Sequence, residues 1–406
     1  MAERMTWEGE VTMIKQCTPQ EAPKEEELKQ RLQKAQEKLA GQQMLLKEHK
    51  LPVIVLVEGW GAAGKGGAIG SMIKNLDPRF FKVATMSEPT EAEIRRPFLY
   101  RYFVQIPEAG KLVFLDSGWG DEVTKKRMKG ELTEEEYKAR VESIKRFERQ
   151  LTDNGYLVIK LFFHISQKQQ KKRLKELEEN KDTAWRVSEL DKWQNKHYEK
   201  YLEIFDDYLR DTNASTAPWY LVDAGSAKWA ALQSLEILCD GIDVALVNER
   251  LAVPLLQNTF PLVKMPKLSE VALDKTMEEA EYRKELHHLQ EKLRKLHYRL
   301  YRKKIPVIIT YEGWDAAGKG GNIKRVAGAL DPRGYEVHPI ASPEPHEKAR
   351  HYLWRFWNRL PKSGHVTVFD RTWYGRVMVE RLEGFCSEND WQRAYVEINE
   401  FEKELS

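Results

Sequence analysis

Two nearly identical stretches of the chain carry the residue types that bind phosphate. GWDAAGKGG occupies 313–321 and GWGAAGKGG occupies 59–67, and they differ at one position, Asp315 against Gly61. Gly313, Gly318, Gly320 and Gly321 let the backbone turn tightly, so that successive N–H groups of the loop, Ala316 and Ala317 included, can face anionic oxygens. Lys319 stands where a phosphate-loop lysine bridges phosphates, and Lys65 is its counterpart. Each loop follows an apolar run and precedes a helical pattern, and the N-terminus of that helix adds its own N–H groups and dipole. The residue after the lysine is ordinarily Ser or Thr, whose hydroxyl holds Mg²⁺. Here it is Gly320, or Gly66 in the first copy, so another oxygen ligand is required. Asp315 is the candidate: it can hold the metal or take a proton from an attacking phosphate. Gly61 can do neither.

A second element lies in HVTVFDRTWYGRVMVE, 365–380. An apolar strand that ends in an acid reads as a Walker-B carboxylate, here Asp370, holding a hydrated metal opposite the loop. Asp370 and Arg371 fall at the C-terminal edge of that strand, where open α/β sheets bind ligands. Arg376 and Glu380 are spaced i,i+4 and are expected on one helix face, where a surface ion pair is the plain reading. The first copy keeps Asp116 but has Ser117 for Arg371 and Glu122 for Arg376. Two positive charges have become one neutral and one negative residue. A third cluster, 342–364, interleaves Lys348, Arg350, Arg355, Arg359 and Lys362 with Tyr352, Trp354, Phe356 and Trp357. Aromatics at this spacing read as core rather than as a stacking platform for bases. Arg350, with Lys324 beyond the loop, joins the candidate phosphate-binding set.

These residues need elements to position them, and the chain supplies those elements twice. The shift that carries Lys65 onto Lys319 also carries Glu58 onto Glu312, Asp77-Pro78-Arg79 onto Asp331-Pro332-Arg333, Asp116 onto Asp370 and Phe147-Glu148 onto Phe401-Glu402, without an insertion. Such a period marks a duplicated domain. In the first copy, apolar runs at 52–57, 81–86, 111–116, 156–163 and 219–223 alternate with helical stretches, which predicts a mostly parallel sheet with helices on both faces. Each copy opens with a helical stripe, Leu28 to Leu46 and Tyr282 to Leu300, expected to pack on its own domain. Prolines 254, 261 and 266 mark an extended linker. The expected architecture is α/β: two tandem P-loop kinase-like, three-layer α/β/α domains with mostly parallel sheets. The first, degenerate in its loop, spans 1–250; 251–273 is linker; the catalytic-type copy spans 274–406. Ser406 matches Thr152, so the second copy is expected to be incomplete, without the later strands and the charged region between them.

Bulk properties narrow the function. The chain has 406 residues, 41% hydrophobic and 32% charged, with a formal net charge of +3. That balance argues against a general nucleic-acid binder and places any polyanion site locally. Cys17, Cys239 and Cys386 form no CxxC pair, which argues against a zinc site or disulfide framework and for a reducing compartment. The first residues lack a secretory apolar core and no run is long enough to span a bilayer, so a cytoplasmic protein is expected, without membrane or nucleic-acid partners.

EGWDAAGKGG, LDPRGYEV, HYLWRFWNRLP and VFDRTWYGRVMVERLEGF in the second copy resemble the second polyphosphate kinase family. LFFHISQKQQKKRL, AWRVSELDKW and APWYLVDA in the first copy are similar to that family's lid region and last strand. The tandem arrangement resembles the family's two-domain polyphosphate:AMP phosphotransferases, in which the second domain is active and the first degenerate. The resemblance implies Mg²⁺-dependent transfer of a terminal phosphoryl group from inorganic polyphosphate to AMP, giving ADP. It implies Asp315 as metal ligand or base, Lys319 and the loop amides on the transferred group, Asp370 on Mg²⁺, and Arg371 and Arg376 on the transition-state oxygens. A homo-oligomer is also expected. Two other readings stay open: an ATP-dependent nucleoside monophosphate kinase, and a non-catalytic scaffold that binds polyphosphate or nucleotide.

Overall fold

The structure is a computed structural model that describes residues 14, 22–86, 88–247 and 259–406. Cys17 and the linker residues 251–258 lie outside the described residues. The described residues divide into two compact units, one within Met1–Glu88 and Arg101–Leu251, the other within Pro89–Tyr100 and Ala252–Ser406. No helix among the described residues is long and apolar enough to cross a membrane.

In the first unit, β1 (Val53–Gly59), β2 (Phe81–Thr85), β3 (Leu112–Asp116), β4 (Leu157–His164) and β5 (Trp219–Asp223) form an all-parallel sheet in the order β2-β3-β1-β4-β5. The apolar runs are the strands, within a residue or two at each end. The central strands β1, β3 and β4 are mostly apolar and buried because helices cover both faces of the sheet, whereas edge strand β2 is largely exposed. Helices Glu25–Glu48, Lys65–Ile73 and Ala227–Val247 pack together in one layer; Trp119–Lys129, Glu134–Asp153 and Tyr198–Asp211 pack in the other. Leu28, Ala35, Leu39 and Leu46 bury the predicted stripe of the opening helix.

One buried carboxylate gives this unit a pH-dependent stability. Glu58 ends the buried run of β1 and accepts a hydrogen bond from the Gly120 amide at 2.9 Å. Burial, with Asp121 and Glu148 nearby and Lys160 opposing them, pushes its carboxyl up to about 8. The folded state therefore holds this proton more tightly than the unfolded chain, where the group titrates near 4.5. Its contribution to stability is full below that lower value and is lost as pH rises towards the upper one. Glu58→Gln keeps the acceptor for Gly120 and is expected to flatten the fall in melting temperature between about pH 5 and pH 8.5. The buried ion pair of Lys160 with Glu148, at 2.7 Å, is present in both proteins, so the difference isolates Glu58. Equal slopes would contradict the assignment.

The second unit repeats the first three strands. β6 (Val307–Tyr311), β7 (Tyr335–Pro339) and β8 (Val366–Asp370) form a parallel sheet in the order β6-β8-β7, matching β1-β3-β2. Ile323, Leu330, Val366 and Val368 fill one face, with Leu293, Leu300 and Val307 against them. Aromatics fill the other: Phe356 meets Phe369 and Trp373, and Phe401 meets Trp357 and Trp373, at centroid separations of 5.0–5.8 Å. Phe356 and Trp357 are thus core, as their spacing predicts. The stripe on helix Glu279–Lys303 meets expectation in part, with Leu293 and Leu300 on this core. His297 is its one buried residue, and Leu289 and Leu296 are exposed. Among the described residues nothing in this unit takes the places that β4 and the helix Ala227–Val247 take in the first, so β6 is half exposed where β1 is buried.

Candidate active site

Parallel register brings three strand ends together in the second unit. Tyr311 of β6 and Pro339 of β7 both lie opposite Asp370 of β8. Loops that leave these ends must share one edge of the sheet. The chain leaves β6 through Gly313 at φ +148°, turns at Ala316 (+62°) and Gly318 (+88°), and enters the helix Lys319–Ala327. The first unit repeats this path with Gly59, Ala62 and Gly64 at +126°, +58° and +91°. A β-carbon on Gly59 would stand 2.3 Å from the Phe163 carbonyl oxygen, so glycine is required there. Arg371, just past Asp370, is also left-handed at +66°, pinned by its N–H to the Tyr311 carbonyl at 2.9 Å. A non-glycine residue held in this conformation stores strain where a side chain must be aimed.

A cavity of about 510 Å³ opens over this edge. Asp315, Ala316, Ala317, Gly318, Lys319 and Gly320 line one side, Asp370 and Arg371 the floor, and Pro339, Ile340 and Ala341 the far wall. Asp315 is 91% exposed and pairs with Arg371 across the cavity at 3.0 Å. So exposed a pair contributes about 0–1 kcal/mol and exchanges readily for a ligand. The Lys319 ammonium folds back on the loop, donating to the carbonyls of Gly313 (2.8 Å) and Trp314 (2.9 Å). Asp370 Oδ1 is buried and has no hydrogen-bond partner. Glu312 accepts from the N–H (2.7 Å) and hydroxyl (2.6 Å) of Thr372 and so ties β6 to the turn after Asp370.

Not every predicted site residue reaches the cavity. Gly313, Gly321, Lys324, Arg350, Arg376 and Glu380 are not on its wall. Arg350 lies over the Trp354 ring at 4.4 Å and donates to the His346 carbonyl. Arg376 and Glu380 do pair, at 2.8 Å, but not on one helix face. The helix is broken between them, a 3₁₀ turn Trp373–Arg376 giving way to a separate turn Val379–Leu382. Arg376 instead stacks on the Tyr352 ring at 4.4 Å. In the first unit the same stretch is one continuous helix, Trp119–Lys129. There the pair is reversed in polarity, with Glu122 accepting from Lys126 at 2.7 Å.

The far wall escaped the motif search because Pro339, Ile340 and Ala341 carry no chemistry of their own. The rule that ligands gather beyond the strand ends would have found them, since they follow β7 directly. Arg355 holds this wall by donating to the Ala341 carbonyl at 3.0 Å. The buried Glu347 in turn pairs with Arg355 at 3.4 Å and with Arg359 at 3.0 Å.

In the first unit the corresponding loop retains Lys65 and Asp116, and burial pushes the Asp116 carboxyl up. Gly61 has no side chain to offer, and Ser117 stands where Arg371 spans to Asp315.

Comparison with known proteins places the chain. The family model for polyphosphate kinase 2 (PPK2) matches residues 22–250 and again 276–406. A polyphosphate:AMP phosphotransferase of Pseudomonas aeruginosa is 37% identical over 374 residues, 91% of this chain and 75% of that protein. One of Acinetobacter johnsonii is 35% identical over 356 residues, 87% of this chain and 72% of that protein. A crystal structure of a polyphosphate kinase 2 from Pseudomonas aeruginosa superposes with a TM-score of 0.81 at 33% identity, covering 97% of this chain and 78% of that one. Doubled loop, doubled strand order and doubled family match agree: this chain belongs to the polyphosphate kinase 2 family.

Proposed function

We propose that the protein transfers the terminal phosphoryl group of inorganic polyphosphate to AMP, giving ADP, with the reaction centred on the second unit. The observation that carries the location is the convergence of Asp315, Lys319, Asp370 and Arg371 on one cavity, set against Gly61 and Ser117 at the same points of the first unit. The relatives' activity supports the substrates.

The chemistry follows from the geometry. An oxygen of the AMP phosphate attacks the terminal phosphorus, a new P–O bond forms, and the bond to the bridging oxygen breaks, leaving its electron pair on the shortened chain. Little of this is covalent work for the protein, so positioning and charge dominate. The loop amides and Lys319 hold the transferred group, the ammonium exchanging two carbonyl partners for phosphate oxygens. Arg371 on the cavity floor neutralises the equatorial oxygens, and Arg376, outside the cavity and paired with Glu380, acts only through its charge. Asp315, released from Arg371 as phosphate arrives, takes the proton of the attacking phosphate or faces the metal.

The donor set fits Mg²⁺. Asp370 presents a buried carboxylate oxygen without a partner and Asp315 lies across the cavity. No cluster of three or more His, Cys, Asp or Glu residues able to hold a metal occurs among the described residues. Mg²⁺ characteristically binds one or two carboxylates and completes its shell with water and substrate phosphates. Asp370 and Asp315 would hold it, and it would supply positive charge that offsets that of the phosphates.

ADP formation from AMP, Mg²⁺ and polyphosphate tests the reading, with ATP as competing donor. Polyphosphate is expected to support the reaction far better than ATP. Equal use of ATP would make the protein an ordinary nucleoside monophosphate kinase.

A further inference from the structure

The first unit's phosphate loop is met at Gly61 by side chains of its own chain. Gln194, on the helix Glu189–Lys196, accepts the Gly61 N–H on its side-chain oxygen at 2.9 Å. Gln170, on the helix Gln167–Glu179, donates to the Gly61 carbonyl at 3.2 Å and to that same Gln194 oxygen at 2.7 Å. Both glutamines are at least nine-tenths buried. Arg173 spans the other side, donating to the carbonyls of Ala62 and Ala63 at 3.2 Å and of Ala224 and Gly225 at 2.6 and 3.1 Å. Trp60 closes the contact, fully buried and stacked on Tyr198 at 4.0 Å.

Space is as decisive as bonding. A β-carbon on Gly61 would stand 2.2 Å from Asp191 Oδ1 and 3.2 Å from the Gln194 oxygen. Asp191 is engaged from its other side, where its second oxygen accepts from the N–H and hydroxyl of Ser188 at 2.9 and 2.6 Å, capping its helix. An aspartate at 61 would put two carboxylates in contact. Gly61 therefore suits this packing and also lacks a catalytic group.

We propose that the helices Gln167–Glu179 and Glu189–Lys196 are a latch that closes the first phosphate loop against polyphosphate, with the Gln194 amide oxygen taking the loop amide that a phosphate oxygen would take. The first repeat is then a shut copy, and polyphosphate engages the second loop alone. This rests on the polyphosphate reading above.

Hydrogen exchange of the whole chain reads both loops at once, with polyphosphate of defined length as the probe. In the free protein, peptides over 59–66 are expected to exchange at least about tenfold more slowly than those over 313–320, and polyphosphate is expected to protect 313–320 alone. Gln194→Ala is expected to speed exchange at 59–66 about tenfold, near the net contribution of one or two hydrogen bonds, and to let polyphosphate protect that loop. Gln194→Glu keeps the acceptor and should behave as the parent. Gln170→Ala breaks the other anchor and serves if Gln194→Ala lowers the melting temperature of the unit. Equal protection of both loops by polyphosphate in the parent, or unchanged exchange at 59–66 in both alanine variants, overturns the latch. If polyphosphate protects neither loop, the functional reading fails, and the alanine arms alone decide whether the latch exists.

Discussion

Asp315→Asn is expected to lower the rate of ADP formation by about 10²–10³-fold while leaving the melting temperature within a degree or so of the parent, the size of loss usual for one positioned charge in an active site. The two readouts separate because of where the side chain sits. Asp315 is 91% exposed and its ion-pair partner Arg371 is 56% exposed, so the fold gains almost nothing from its charge. The substitution keeps shape and hydrogen-bonding reach, and removes only the ability to carry negative charge or accept a proton. Loss of activity without loss of stability assigns the carboxylate to the reaction. A variant that keeps most of its rate would reduce Asp315 to a loop residue, and with it the distinction from Gly61.

The second large effect concerns Arg376 and Glu380, and there stability and activity are expected to part company in two steps. Arg376→Glu leaves two carboxylates side by side in a pocket where the parent pair is 17% and 29% exposed, and removes a guanidinium from the Tyr352 ring. A loss of about 1–3 kcal/mol in stability is expected, with at least about a tenfold fall in rate. Adding Glu380→Lys restores an ion pair with the polarity that Glu122 and Lys126 already use in the first unit. The double variant should regain most of the lost melting temperature and none of the lost rate. If rate returns together with stability, Arg376 is a structural residue and its charge plays no part in the reaction.

Much of this was legible in the sequence. The strands were readable because parallel strands covered on both faces are mostly apolar, as β1 and β4 are apart from Glu58 and Lys160. The loop, its lysine and the acid ending β8 were readable because backbone turning, phosphate and metal each demand a residue type at a fixed place. What escaped depended on contacts between distant segments. The break between Arg376 and Glu380 is invisible to i,i+4 counting, which assumes a continuous helix. The exposure of Leu289 and Leu296 within the Glu279–Lys303 stripe follows from what stands beside them and not from its periodicity. Gly61 reads in sequence as a lost aspartate; only the structure shows that its amide is engaged by Gln194 and that Asp191 stands where a side chain would go.

The most direct test of the central claim uses the two loop lysines as internal controls for each other. ADP formation from AMP, Mg²⁺ and polyphosphate should be measured in the parent chain, in Lys319→Ala and in Lys65→Ala. Both ammonium groups make the same pair of contacts to their own loops, at 2.8 and 2.9 Å for Lys319 and at 3.1 and 3.0 Å for Lys65, so the structural cost of removing either is matched. The account predicts that the parent forms ADP, that Lys319→Ala loses the activity, and that Lys65→Ala keeps it within about twofold. ADP formation that survives Lys319→Ala, or that disappears with Lys65→Ala, would contradict it.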